Sequence, residues 1–140
     1  MTVNNASRFI NDEQRAYLYR TTTMARGGGT CQYYDGEGPQ CVIGQLGALH
    51  GCKVNTFAGG GIWDLFYPTG LARRLFNPDI DALKTYPIEL LARLQVTWDG
   101  CQYIGGEETA RLKMYQIIDE YYQPTRTPTV FKSSAVEVRV

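Results

Sequence analysis

The sequence predicts a mainly α fold (mainly helical α+β), a small single domain carrying a short hairpin or small sheet, and three observations lead there. Apolar residues recur at helical spacing in the windows 41–50, 87–98 and 107–121; glycine and proline cluster between those windows; and strand-like alternation is confined to short stretches. A chain of 140 residues is about one domain long and buries roughly two-thirds of the surface its unfolded form exposes, so it needs no staple.

Residues 1–8 are polar, and residues 1–11 are expected to form a mobile N-terminal segment, with the globular domain at 12–123 and an extended tail or edge strand at 124–140. Asn11 followed three residues later by Gln14 reads as a capping box, opening a helix to about Met24 with Phe9 and Ile10 at its entry. Thr21-Thr22-Thr23 is a poor helix-forming run. Gly27-Gly28-Gly29 then breaks the helix, and Asp35-Gly36-Glu37-Gly38-Pro39 is turn chemistry, so Thr30 to Tyr34 is at most a short strand in a hairpin ending at Gln40.

From Cys41 to His50, Val42, Leu46 and Leu49 share one stripe, and Gly51 stands just past the end as a terminator. This is the expected central helix. Gly44 and Gly47 cost it about 1 kcal/mol each relative to alanine, which makes sense only where a neighbouring backbone comes close. Lys53 to Phe57 reads as a short strand, and Ala58 to Gly61 as a break before the bulky run Ile62–Tyr67. Thr69 caps a brief helix through Phe76. Pro87 suits a first helical position, with Ile88, Leu91, Leu94 and Trp98 following before Asp99-Gly100. The last helix starts near Glu107-Glu108, carries Ala110, Met114, Ile117 and Tyr121 on its stripe, and stops before Pro124. Val136, Val138 and Val140 alternate in the tail as a strand would, suited to pairing within the domain or with a partner.

Fourteen basic and fourteen acidic side chains cancel, which argues against a protein that coats nucleic acid or an anionic membrane. No stretch approaches a membrane span, and no signal peptide is recognisable at the start, so a cytoplasmic, reducing setting is expected. Gly59-Gly60-Gly61 lacks the lysine and hydroxyl residue of a phosphate loop, and the scattered acids form no pair suited to acid–base or two-metal chemistry. No cofactor is expected.

Cys31, Cys41, Cys52 and the only histidine, His50, fall within one short stretch. Zinc sites normally open with a close cysteine pair, whereas here the spacing is wide, so structural thiols are expected, with a Cys31–Cys41–His50–Cys52 site as the alternative. A cysteine enzyme would place the Cys41 thiolate at a helix start with His50 as base. On one helix those residues lie about 13 Å apart, too far for proton transfer.

Tyrosine is the compositional outlier, with ten residues that include the pairs Tyr33-Tyr34 and Tyr121-Tyr122. An apolar ring with a polar tip suits recognition surfaces, so the candidate binding residues are Tyr33, Tyr34 and Tyr122, joined by Trp63 and Tyr67. Tyr121 shares the core stripe, which turns Tyr122 outward. A small-molecule or nucleotide-binding protein is the other class, and a pocket lined by Trp63, Phe66, Tyr67 and Trp98 would favour it.

Arg26-Gly27-Gly28-Gly29, the helix start Cys41-Val42-Ile43-Gly44, the run from Leu91 to Trp98-Asp99-Gly100 and the helix from Ala110 to Glu120 together resemble a loose set of small proteins of tailed bacteriophages and some bacteria, over about residues 12–122. In that set the later turn usually carries Asn-Asp, where this chain has Trp98-Asp99-Gly100. The resemblance implies a phage or mobile-element origin and no known reaction. The resulting expectation is a non-enzymatic, phage-encoded accessory protein that binds and modulates a host protein in the host cytoplasm, for takeover or defence evasion. Self-association as a homo-oligomer is compatible with this expectation.

Overall fold

The computed structural model describes residues 8–29, 32–57, 61–67 and 80–124. It is mainly helical. Five α-helices are described: α1 (Asp12–Met24), α2 (Val42–Leu49), α3 (Ile62–Phe66), α4 (Ile88–Asp99) and α5 (Glu107–Tyr121), with short 3-10 turns at Val54–Thr56, Leu83–Thr85 and Cys101–Tyr103. Helix α1 packs on α2 and α5, while α4 packs on α5, α3 and α2. No helix among the described residues is long and apolar enough to cross a membrane.

The start of α1 follows the expected capping box. Asn11 Oδ1 accepts from the Gln14 amide at 2.8 Å and Gln14 Oε1 accepts from the Asn11 amide at 3.0 Å, satisfying two of the otherwise orphaned helix-start donors. The threonine run stays helical because Thr21 and Thr22 are fully buried, so packing outweighs a propensity deficit of a few tenths of a kcal/mol per residue. No basic residue stands in the last turn of α1. Instead Arg111 on α5 reaches across, donating to the carbonyls of Thr22 at 3.2 Å and Ala25 at 2.8 Å. A cation at those carbonyls complements the negative end of the helix and ties α1 to α5.

Helix α2 is the centre of the molecule, with every residue from Val42 to Gly47 buried. Its small residues permit that position: a Cβ on Gly44 would lie 2.1 Å from the carbonyl oxygen of Tyr33, and one on Gly47 would lie 2.8 Å from Val54 Cγ1. Gly51, with φ of 82°, turns the chain out after the His50 cap, in the left-handed region that favours glycine. Around α2 the core is built from Leu90, Leu91, Leu94 and Trp98 of α4, Met114 and Ile118 of α5, and Leu18 of α1.

The expected hairpin shrinks to a single antiparallel bridge between Tyr34 and Pro39. Asp35 Oδ1 accepts from the amides of Glu37 and Gly38, closing the turn, and Arg26 holds the same carboxylate bidentately at 2.6 and 3.0 Å. That guanidinium holds Asp35 down at about 2, so the clamp persists through the weakly acidic range.

Several expectations shift. Lys53–Phe57 is not a strand: Cys52 donates to the Gly47 carbonyl and Phe57 to that of Val54, so local bonds leave a 3-10 turn in its place. Pro87 is the cap before α4 rather than its first residue. On α5 the inward stripe runs Ala110, Met114, Ile118, with Ile117 and Tyr121 half-buried at its edge. Packing begins ahead of residue 12, because Ile10 is buried and pairs in parallel with Tyr122, donating to Tyr121 O at 2.9 Å and accepting from the Gln123 amide at 3.0 Å. Cys31, the helix expected from Thr69 to Phe76 and the tail beyond Pro124 lie outside the described residues.

Candidate interaction surface

Helix α3 is one turn and a half of amphipathic chain. Ile62, Leu65 and Phe66 are buried, and the tyrosine four residues after Trp63 falls on the same outward side as the indole. Trp63 is 51% exposed and Tyr67 60%, their rings stacked with centroids 6.2 Å apart and planes 19° from parallel. The Tyr67 amide donates to the Trp63 carbonyl at 2.9 Å, so the backbone that carries the second ring is fixed by the first.

The tyrosine pairs divide. Successive residues of an extended segment point to opposite sides, so Tyr34 faces solvent at 37% exposure whereas Tyr33 turns into the core at 3%, edge-on to Phe57 with centroids 5.6 Å apart. Tyr33 is therefore structural and withdrawn from the binding set. Tyr122 is half-buried: its hydroxyl donates to Asp12 and its ring lies 4.5 Å under the Arg15 guanidinium, which also covers Tyr19. This side chain closes the two ends of the described fold.

Among the described residues, Cys41 and His50 stand apart. Cys41 caps α2, its Sγ accepting from the Gly44 amide at 3.5 Å, and is fully buried; burial pushes its thiol up to about 11, so it carries no thiolate at neutral pH. His50 caps the other end of the same helix, about 13 Å away by helix rise, so the two can share neither a metal nor a proton. Among the described residues no three of histidine, cysteine, aspartate and glutamate converge.

His50 is instead a structural partner of Tyr86, with Nε2 2.7 Å from the buried hydroxyl and the Tyr17 ring tilted against it at 4.5 Å between centroids. Desolvation lowers its pKa, partly opposed by Glu13. The unfolded chain then binds the extra proton more readily than the native one, so the stability this site contributes is present above the unfolded value near 6.5 and is lost as pH falls through the depressed native value. Acidification from pH 7 to 5 is expected to lower the melting temperature, and a His50→Gln variant should lose that part of the slope. Equal slopes in the two proteins contradict the assignment.

The expected pocket of Trp63, Phe66, Tyr67 and Trp98 does not form, because Phe66 and Trp98 are core residues while the other two stand outside. A concavity of about 540 Å³ lies elsewhere, between α4 and α5, with Ala92, Val96 and Ile117 as its apolar wall. Sequence reading missed it. The signal was there in Val96, an apolar residue off the buried stripe of its helix and 72% exposed.

Compared with protein-family models, with curated proteins and with solved structures, the chain matches none.

Proposed function

We propose that this protein is a non-enzymatic binding module that recognises another protein through the aromatic ridge Trp63–Tyr67, with Tyr34 as a further contact. The observation that carries the reading is the stacked, half-exposed ring pair on a helix whose opposite side is anchored in the core. Burying two such rings supplies large contact area at little entropic cost, because each has only two side-chain torsions and the pair is already aligned. Trp and Tyr are the side chains most enriched where binding energy concentrates. The resemblance to small phage proteins supports a bacterial host protein as the partner and the host cytoplasm as the setting, with modulation of that partner as the outcome.

Capture from bacterial lysate, compared across variants, tests the reading. Trp63→Ala and Tyr67→Ala should each weaken retention of a specific host protein by about 2 kcal/mol, or about thirtyfold, with melting temperatures close to wild type. Tyr33→Phe, altered in the core, should leave retention unchanged. Retention that survives both alanine variants, or falls only where the fold is lost, rejects the ridge as the recognition surface.

A further inference from the structure

We propose that the face formed by α4 and α5 is the seat of a second copy of this chain, packed about a two-fold axis that runs alongside α5 at the level of Gln116 and Ile117. The concavity there presents Ala92, Val96 and Ile117, with Val96 72% exposed. Contiguous exposed apolar side chains on two adjacent helices mark a surface that gains from being covered.

Charge placement selects a second copy as the cover. Lys113 and Glu120 both line the concavity and stand one heptad apart on α5, about 10.5 Å along its axis. An antiparallel copy of α5 centred between 116 and 117 sets Lys113 against the partner's Glu120 and Glu120 against the partner's Lys113. This is the self-complementarity a two-fold interface demands: each patch must meet itself. Glu120 is already held by Arg93 at 2.8 Å, and its side chain keeps 55% exposure, leaving carboxylate lone pairs for a second cation. Lys113 forms no ion pair within the chain among the described residues. The groove is separate from Trp63 and Tyr67 on α3, so pairing leaves the proposed recognition ridge open.

Sedimentation equilibrium of the full chain over micromolar to millimolar concentration provides the test, with Lys113→Glu and Glu120→Lys variants measured alone and mixed. The wild type should show a concentration-dependent dimer, and each reversal alone should weaken self-association at least tenfold by setting like charges together. An equimolar mixture of the two variants should form a heterodimer at wild-type affinity, because it restores both opposite-charge contacts. Val96→Asp should be monomeric with an unchanged thermal melt and unchanged capture of a host protein, separating failure of this interface from failure of the recognition ridge. A wild type that stays monomeric throughout, or well-folded reversals that do not recover on mixing, overturns the proposal.

Discussion

Gly44→Ala should lower stability by about 3 kcal/mol or more, a large fraction of the total for a domain of this size. The added Cβ would sit 2.1 Å from the Tyr33 carbonyl oxygen and 3.0 Å from its carbon, and those atoms are backbone. They cannot swing aside. Relief requires the backbone around Tyr33 to move off α2, breaking the Gln40 to Tyr33 and Cys41 to Gln32 backbone bonds and releasing the buried Tyr33 ring. The gain of about 1 kcal/mol in helix propensity does not compensate. Gly47→Ala is the internal control. Its Cβ meets Val54 Cγ1 and the Phe57 ring edge at 2.8–3.3 Å, side-chain rather than backbone atoms, so Gly47→Ala should cost clearly less than Gly44→Ala. Denaturant unfolding of both variants checks the pair, and equal losses would show that the Tyr33 backbone is no harder to displace than the side chains around Gly47.

Trp98→Ala should cost about 3–5 kcal/mol and leave little folded protein at physiological temperature. The indole is fully buried at the end of α4, donates to the Arg26 carbonyl at 3.2 Å and lies with its ring 5.0 Å from the Arg111 guanidinium. It therefore joins three parts of the chain: the loop after α1, the helix α4 and the arginine that caps α1 from α5. Trp98→Phe separates the contributions. It keeps most of the apolar volume but removes the donor, and an unanswered carbonyl should cost about 1–3 kcal/mol. A phenylalanine variant as unstable as the alanine variant would mean that volume at this site cannot be recovered by a smaller ring.

The helices were legible where one local device decided them. Asn11 and Gln14 announced α1, Gly51 the end of α2, and Glu107-Glu108 the start of α5, because caps and end charges act within a few residues. What failed was decided by distant partners. No local rule reveals that Ile118 rather than Ile117 turns inward, since that depends on where α4 and α1 lie against α5. The strand expected at 53–57 lost to bonds with the end of α2. For the site, counting tyrosines identified a class of side chain but not its orientation: Tyr33 and Tyr34 are chemically alike neighbours, and only the side of the chain on which α2 sits separates them.

The pairing of Ile10 with Tyr122 also bears on the order in which the molecule assembles. Asp12 and Tyr122, which share a hydrogen bond at this junction, lie 110 positions apart in sequence. Joining them before the intervening helices have collapsed would close a loop of nearly the whole domain, and the entropy of closure rises with loop length. Once α1 and α5 are docked through Arg15 and Asp119, the same junction closes almost without cost. The junction belongs to the final stage of folding. Its two backbone hydrogen bonds should be among the earliest to open in the native state, exchanging their amide protons ahead of those in α2.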